Sequence, residues 1–237
     1  MKVTIVGSGR AGQSFAIALG AAGHDVTLLH HDELSRVAGD VVLLTVPDDA
    51  LAEVAGALAP DASRVVAHAA GSRTLDVLAG HPRVASLHPL AALSSPERGA
   101  ARLRGATYCV AGDPVAAELV RSLEGRVITL EDSRRTLYHA TATVAANHLV
   151  ALMGQVERLA REAGLELEDF LALAGQALAD VASDGPARAL TGPASRGDVE
   201  TIDAHLAAIP ESERPAYVAL AAAAFELAER RRSTLPA

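Results

Sequence analysis

Short apolar runs rich in β-branched residues recur through the first half of the chain, and polar or glycine-containing turns separate them. Such runs are typical of strands that are buried on both faces of a parallel sheet. The pattern predicts seven strands, at Val3–Val6, Asp25–Leu29, Asp40–Val46, Arg64–His68, Arg83–Leu87, Thr107–Val110 and Arg126–Leu130. Helices are predicted between them, one starting near Arg10 and two spanning Pro47–Leu58 and Pro114–Leu123. This alternation indicates an α/β fold with a doubly wound parallel sheet.

The strand pattern stops after Asp132, and helix-forming runs replace it. One such run extends from about Arg134 to Ala163 and ends at Gly164, a residue that suits a helix C-terminus. Further helices are expected at Leu167–Val181, Val199–Ala208 and Glu211–Arg232. We therefore expect two domains, a Rossmann domain over residues 1–132 and a smaller all-helical domain over residues 133–237.

The first strand leads directly into a glycine turn with the sequence Gly-Ser-Gly-Arg-Ala-Gly. In a GxGxxG turn the first glycine permits the sharp bend, the second lets the backbone approach a pyrophosphate, and the third lets the helix pack closely on the strand. The motif alone is a weak signal, but here a buried strand precedes it, and an apolar helix and a second strand follow. The helix N-terminus would also direct unpaired N–H groups at the phosphates. The turn therefore predicts a dinucleotide site formed by Gly7, Ser8, Gly9, Arg10, Ala11 and Gly12.

The end of the second strand bears on which dinucleotide is bound. Sites for NAD usually carry Asp or Glu there, because a carboxylate accepts hydrogen bonds from the ribose 2′-OH. This chain has His30 and His31 at that point, with Asp32 one position later. Imidazole tolerates a 2′-phosphate better than a carboxylate does, so the histidine pair favours NADP, while Asp32 leaves NAD open.

Ligands of an open α/β sheet bind beyond the carboxyl ends of its strands. Val46 and Pro47 lie at the end of the third strand and are expected to contact the cofactor. Pro47 stops that strand, which leaves the two aspartates after it to cap the next helix. His68 ends the fourth strand and His88 follows the fifth. Each histidine suits either proton transfer or simple capping and packing, and the sequence leaves both open.

Three polar residues of the long helix, His139, Thr143 and Asn147, are spaced by four and therefore share one face. Such a row suits either a face that lines a cleft or mutual pairing inside a helical core. For catalysis, His139 is the first candidate for the proton donor and Asn147 for an orienting hydrogen bond, and His88 and His68 are the further candidates. The histidines lack the spacing of a metal site, so no metal is expected.

Composition narrows the classes of function. A formal charge of −8, without a basic stripe that contains aromatic residues, argues against nucleic acid as a partner. We expect neither a membrane span nor a signal peptide, because no long apolar run is present. The single cysteine, Cys109, suits a reducing cytoplasm and is expected to be buried in a strand. The only lysine, Lys2, begins the first strand, which argues against lysine chemistry in the active site.

Nearly the full length of the chain resembles a bacterial family of Rossmann-like proteins with a C-terminal domain of unknown function. It resembles more distantly the pyrroline-5-carboxylate reductases, the ketopantoate reductases and the 6-phosphogluconate dehydrogenase superfamily. The segments that carry the resemblance are Gly7–Gly12, Leu44–Asp48, His68–Gly71, Ser86–Leu90, Tyr138-His139 with Asn147-His148, and Ala189–Asp198. The resemblance implies an N-terminal NAD(P) domain and a helical C-terminal domain that helps to form a homodimer.

Two positions depart from these relatives. Ala70 stands where the family is expected to have serine, so a hydroxyl that could orient substrate is missing. The hydroxyacid dehydrogenases of the superfamily have a catalytic lysine four residues before the asparagine, and Thr143 stands at that position here. The mechanism of the hydroxyacid dehydrogenases therefore cannot be carried over intact.

Two hypotheses about function follow. The leading one is an NAD(P)-dependent reductase of a small oxo or imino acid, of the ketopantoate or pyrroline-carboxylate type. In that reading Arg196 either binds a substrate carboxylate or forms a structural pair with Asp198. The alternative is a non-catalytic NAD(P)-binding dimer that acts as a sensor or scaffold, which the missing lysine and Ala70 favour. In both cases we expect a small-molecule ligand, a homodimer, and no nucleic-acid or membrane partner.

Overall fold

The apolar runs of the first half form a seven-stranded sheet in the computed structural model of the chain, which describes residues 1–234. The strands are β1 (Lys2–Val6), β2 (Asp25–Leu29), β3 (Val41–Leu44), β4 (Val65–His68), β5 (Val84–Pro89), β6 (Thr107–Gly112) and β7 (Arg126–Thr129). They lie in the order β2-β1-β3-β4-β5-β6-β7, which is the doubly wound order 2-1-3-4-5 extended at one edge by β6 and β7. All seven predicted strands are present, and the predicted α/β fold is confirmed.

One pairing departs from the parallel sheet that the sequence predicts. Strands β1 to β5 are parallel, but β6 is antiparallel to β5, and β7 then runs parallel to β6. The segment 90–106 leaves the carboxyl end of β5 and returns to the same edge, where the Leu90 N–H donates to the Thr107 carbonyl over 2.8 Å. An apolar segment indicates that a strand is buried, but it does not indicate whether the strand is parallel or antiparallel to its neighbour. The sequence pattern therefore could not predict the reversal at β6.

Five helices accompany the sheet: α1 (Arg10–Ala21), α2 (Leu51–Gly56), α3 (Pro96–Leu103), α4 (Val115–Ser122) and α5 (Arg135–Thr143). Helix α3 was not predicted, although its start carries two ordinary signals. Ser95 accepts a hydrogen bond from the Arg98 N–H through its side chain, and Pro96 occupies the first helical position. The expected cap of the helix after β3 is wrong, because α2 begins only at Leu51 and has no side-chain cap.

The core lies on both faces of the sheet, since successive strand residues point to opposite sides. On one face, Leu43 packs in a cluster with Phe15 and Leu19 of α1. On the other, Leu44 packs with Leu51 of α2. These side chains are all fully buried. Cys109 on β6 is also fully buried, as the sequence predicts for a structural thiol.

The first compact unit runs from Met1 to Asn147, and the second begins at His148. The first unit therefore continues past Asp132 and includes α5. The predicted boundary after residue 132, between a Rossmann domain and a helical domain, stays a prediction. Between α5 and the next helix the chain makes one turn of π-helix, Val144–His148, so the helical run predicted from Arg134 to Ala163 is present but includes a π-helical turn.

The second unit is helical, as predicted. Its helices are α6 (Leu149–Glu162), α7 (Glu168–Asp184), α8 (Pro186–Ala189), α9 (Gly192–Arg196), α10 (Val199–Ala208) and α11 (Arg214–Thr234). The side chain of Gln155 on α6 donates to the Glu213 carbonyl over 2.9 Å, and Arg158 forms an ion pair with the Glu213 carboxylate. This pairing lowers the pKa of Glu213 and ties α6 to the start of α11.

Helices α1 and α3 approach each other closely at Ser14 and Gly99, which are both buried. The Ser14 hydroxyl donates to the Arg10 carbonyl over 2.7 Å. A Cβ at Gly99 would lie 2.1 Å from the Ser14 Oγ and 2.8 Å from the Ser14 Cβ. The contact between the two helices therefore requires glycine at this position.

We predict that Gly99→Ala lowers the free energy of unfolding by about 1–3 kcal/mol, because the new methyl group overlaps Ser14. Gly20→Ala is the matched control, since Gly20 is an exposed residue of α1 whose Cβ would meet no atom within 4 Å. We expect this control to be neutral or stabilising by up to about 1 kcal/mol. Urea unfolding of the three proteins measures both effects, and equal stability of Gly99→Ala and wild type would contradict the prediction.

Candidate active site

The turn between β1 and α1 has the backbone geometry that its glycines predict. Gly7 has a φ of +112°, and a Cβ there would lie 2.9 Å from the Thr45 carbonyl carbon. A Cβ at Gly12 would lie only 1.8 Å from the Gly7 carbonyl oxygen, so α1 packs directly against the end of β1. At Gly9 a Cβ would have no such contact within 4 Å, because the turn faces open space there. The first N–H groups of α1 have no side-chain cap and are available at this same end of the helix.

A cavity of about 430 Å³, which we call the glycine-turn cavity, lies against this turn. All the residues predicted to contact the cofactor line it except Gly12, which is buried in the contact between α1 and β1. Two further residues, Thr45 and Leu93, complete the lining. The Thr45 hydroxyl donates to the Gly7 carbonyl over 2.9 Å and so holds the turn against the end of β3. Leu93 comes from the segment after β5, and no motif in the sequence points to it.

The two histidines after β2 stand side by side at the edge of the glycine-turn cavity. The ring centroids of His30 and His31 are 4.2 Å apart. The His30 Nδ1 lies 2.7 Å from a carboxylate oxygen of Asp32, and this hydrogen bond lowers the pKa of Asp32. Asp32 is therefore an ionised group, and one of its carboxylate oxygens is engaged by His30.

A second group of polar side chains lies at the carboxyl ends of β4 and β5. His68 and Ser86 are register partners on these neighbouring strands, and both are fully buried. The His68 Nε2 lies 3.2 Å from the Thr74 carbonyl, to which it donates. Two residues further along β5, the His88 Nδ1 lies 2.8 Å from the Tyr138 hydroxyl of α5. The strand ends and α5 thus meet through hydrogen-bonded side chains.

A cavity of about 460 Å³ opens beside His88, and we call it the histidine cavity. His139, Thr143 and Asn147 all line it, as does Tyr138, and most of the remaining lining is alanine and other apolar residues. The π-helical turn that begins at Val144 changes the helical period, yet Asn147 still reaches the same cavity. Turns of this kind are frequent at functional sites.

Three of the four residues predicted for catalysis, His88, His139 and Asn147, therefore line one cavity. His68 does not line it. Its ring lies fully buried, and its Nε2 is occupied by a backbone carbonyl. This environment suits a packing and hydrogen-bonding role better than contact with a ligand.

Gly71 explains how the two imidazoles of the histidine cavity come close together. A Cβ at Gly71 would lie 2.6 Å from the His139 Cδ2 and 2.7 Å from the His88 Nε2. The ring centroids of His88 and His139 are 6.0 Å apart, with an interplanar angle of 67°. The glycine thus makes room for both rings at once. The imidazole of His139 makes no hydrogen bond of its own within residues 1–234.

Burial controls the protonation of this group. It lowers the pKa of His68 to about 4, helped by the positive charge of Arg135. It lowers the pKa of His88 to about 4 as well, helped by His139 and Arg135. Burial also raises the pKa of Tyr138 to about 12. At pH 7 the two buried imidazoles are therefore neutral, and the Tyr138 hydroxyl keeps its proton.

Sequence reasoning missed Arg135 and misplaced Asp48. Arg135 is 1% exposed, although it is a charged residue at the start of a helix, and its Nη2 donates to the Ser86 Oγ over 2.9 Å. Its position one helical turn before Tyr138 is the signal that could have placed it on the same face. Asp48 accepts a hydrogen bond of 2.5 Å from the Ser72 hydroxyl. The resemblance implied that a hydroxyl is missing at Ala70. The Ser72 hydroxyl lies two positions later in the chain and is bound to Asp48.

Arg196, the last residue of α9 in the longest segment of resemblance, pairs with Asp198 at 3.6 Å. Asp198 in turn caps α10 by accepting from the Thr201 N–H over 3.1 Å. Of the two roles left open for Arg196, this contact is the structural pair. Within residues 1–234, no three His, Cys, Asp or Glu side chains are grouped to hold a metal ion, and no helix is long and apolar enough to cross a membrane.

Comparison with known proteins supports the resemblance seen in the sequence. Residues 107–224 match the family model described as "Domain of unknown function (DUF2520)". A search of curated proteins finds no match. The predicted similarity to a Rossmann-like family with a C-terminal domain of unknown function is confirmed.

Solved structures share the fold at low identity. A Bacteroides fragilis protein, provisionally assigned as an NADP oxidoreductase, is 20% identical over 95% of this chain and 98% of its own, with a TM-score of 0.77. Protein TM1727 of Thermotoga maritima is 20% identical over 97% and 99% of the two chains, also with a TM-score of 0.77. A Plasmodium falciparum pyrroline carboxylate reductase with NADP bound is 12% identical over 98% and 97%, with a TM-score of 0.63.

The buried neutral histidines predict that stability falls on acidification. The pKa of His68 is about 4 in the folded chain against an ordinary value of 6.5, so the unfolded chain binds more protons between these values. Stability is therefore full above about pH 6.5 and is lost as the pH falls toward 4, by about 3 kcal/mol for this ring. We expect urea unfolding at several pH values to show a smaller acid loss in His68→Gln than in wild type. An identical pH dependence in the two proteins would contradict the assignment.

Proposed function

We propose that this chain, whose residues 107–224 match the DUF2520 family model, is an NADP-dependent oxidoreductase that reduces a small oxo or imino acid. One observation carries the proposal: a single segment after β5 lines both cavities. Leu90, Ala91 and Ala92 line the histidine cavity, and Leu93 lines the glycine-turn cavity. A phosphate-binding backbone turn and a pair of imidazoles thus lie on either side of the same short segment, at the carboxyl edge of the parallel strands.

The glycine-turn cavity fits a dinucleotide. The open space at Gly9 leaves room for a pyrophosphate, and the uncapped N–H groups of α1 are its donors. Arg10, His30 and His31 supply the groups that suit a 2′-phosphate, while Asp32 is held by His30. This arrangement supports NADP over NAD. When bound, the reduced dinucleotide supplies the hydride for reduction of a C=O or C=N carbon.

The chain's own residues have to position the substrate and provide its proton. We assign the proton to His139, which lines the cavity and has no competing hydrogen bond within residues 1–234. His88 is neutral at pH 7, and with the Tyr138 hydroxyl donating to its Nδ1 it presents an Nε2–H donor. Asn147, which also lines the cavity, adds an orienting amide. His68 supports the strand ends and does not contact substrate.

The substrate class rests on the solved structures that share the fold. One is the pyrroline carboxylate reductase described above, and another is an Aspergillus terreus reductive aminase in complex with NADPH and ethyl levulinate. Reduction of a carbon doubly bonded to nitrogen or oxygen is the chemistry that both names imply. The histidine cavity, with neutral donors among apolar residues, suits a compound of this kind.

A homodimer is part of the proposal. Several apolar side chains of the second unit are exposed, among them Val150 at 72%, Leu173 at 63% and Val199 at 57%. Exposed apolar groups of this number mark surfaces that bind other surfaces.

The rival function is a non-catalytic NADP-binding sensor or scaffold. It draws support from Thr143, which lines the histidine cavity where the hydroxyacid relatives have lysine.

We predict that Gly9→Ala weakens NADPH binding about tenfold or more, because the methyl group occupies the space that the pyrophosphate needs. The backbone tolerates the change, since Gly9 has a φ of −71° and its Cβ would meet nothing within 4 Å. Gly20→Ala, at the far end of the same helix, is the control and should bind NADPH like wild type. Titration of nicotinamide fluorescence measures both affinities. The same titration with NADH should show weaker binding, and much tighter NADH binding would overturn the preference for NADP.

We predict that His139→Asn lowers NADPH oxidation about tenfold or more while NADPH affinity is retained, because the variant loses its proton donor. Ketopantoate, other 2-oxo acids, 1-pyrroline-5-carboxylate and further cyclic imines form the test panel. His148→Asn is the matched control, since His148 is exposed and does not line the cavity. Unchanged turnover in His139→Asn would remove this residue from the mechanism. NADPH binding without consumption across the whole panel would favour the sensor.

A further inference from the structure

Two side-chain hydrogen bonds fasten α5 to β5, and together they fix the helix along the strand. The Arg135 Nη2 donates to the Ser86 Oγ over 2.9 Å, and the Tyr138 hydroxyl lies 2.8 Å from the His88 Nδ1. The two helix residues are three positions apart and share a face, and the two strand residues are two positions apart and share a face. The placement of His139, the next residue of α5, follows from this pair of bonds.

The bond from Arg135 to Ser86 is made by a buried guanidinium that is only partly paired. Arg135 is 1% exposed, and its Nη1 has no hydrogen-bond partner within residues 1–234. The nearest carboxylate oxygen, of Asp132, lies 3.7 Å from its Nε, and the Asp132 side chain is half exposed. A buried charge that is not fully neutralised in this way acts strongly on other titratable groups near it.

Those groups come from every element that meets at this point. They are His68 on β4, His88 on β5, Cys109 on β6, Tyr138 and His139 on α5, Asp132 before α5 and Asp48 after β3. The two aspartates raise the pKa of His68, whereas burial and Arg135 lower it. Burial, His139 and Arg135 lower the pKa of His88. The buried cation therefore acts on the imidazoles of both strands in the same direction as burial.

We propose that Arg135 is a positioning residue of the histidine cavity: its bond to Ser86 places α5, so that the proton donor His139 lines the cavity, and its buried positive charge acts on the His88 imidazole. This assignment rests on the proposed function, because the proton has a use only if the cavity reduces a substrate. The His88 imidazole, which burial keeps neutral, suits the role of a hydrogen-bond donor beside His139. Arg135 itself is too deeply buried to contact a ligand.

The test is the NMR titration of the His88 Cε1–H signal, which needs no substrate and therefore stands even if the reductase activity fails. Over about pH 5 to 8 we expect the wild-type signal not to titrate. In Arg135→Met and Arg135→Gln the midpoint of the His88 titration should lie at a higher pH than in wild type, because removal of a nearby positive charge favours the imidazolium while burial, the larger cause, remains. Arg135→Lys keeps the charge and should restore the wild-type behaviour. A folded neutral variant whose His88 signal remains unchanged would overturn the proposal.

Ser86→Ala tests the placement of α5 separately, and it keeps the proposal open to refutation if the neutral variants do not fold. The variant removes the partner of Arg135 and leaves the charge in place. We expect the His139 Cε1–H signal to move, and NADPH oxidation to fall severalfold in kcat while NADPH affinity stays the same. Unchanged His88 and His139 signals in Ser86→Ala would show that the bond between Arg135 and Ser86 does not position α5. Absence of NADPH oxidation by wild type, with the titrations as expected, would count against the proposed function alone.

Discussion

The contact of α1 with the end of β1 is the constraint on which both cavities depend. At Gly12 a side chain would lie 1.8 Å from the Gly7 carbonyl oxygen, so only glycine lets the helix start where it does. That start places the free N–H groups of α1 beside the open space at Gly9. Further along α1, Ser14 meets Gly99 of α3, and α3 follows the segment that lines both cavities. One backbone contact thus sets the glycine-turn cavity directly and the histidine cavity through α3.

The two cavities obtain their properties in different ways. The glycine-turn cavity depends on backbone groups of consecutive residues, so a short motif specifies most of it. The histidine cavity depends on side chains from separate segments, among which His88 and Tyr138 are 50 positions apart in the chain. Its character comes from burial, which keeps His88 neutral, and from Gly71, which makes room for two rings. A chain can therefore keep the first cavity unchanged while the chemistry of the second varies.

The sequence predicted whatever depends on local pattern. All seven strands follow from short apolar runs between turns, and the row from His139 to Asn147 follows from helical spacing. Three other features depend on tertiary packing and were missed. The reversal at β6 depends on where the segment 90–106 returns, and the burial of Arg135 depends on the strand face that α5 covers. The π-helical turn at Val144–His148 likewise has no signal in a polar and apolar pattern. A charged residue is ordinarily expected to be exposed to solvent, and Arg135 departs from that expectation.

The absence of a lysine at position 143 can be interpreted together with the position of the buried Arg135 guanidinium. In the hydroxyacid relatives a lysine is expected at the position of Thr143, where its ammonium could meet the substrate. Here Thr143 lines the cavity without charge, and the positive charge lies beneath the strand ends on Arg135. A guanidinium that is 1% exposed cannot donate a proton to a ligand, so it acts only through its field and its bond to Ser86. For the proposed reduction the two imidazoles that line this cavity are therefore the candidate proton donors. Burial and charge keep His88 neutral, and we assign the proton to His139.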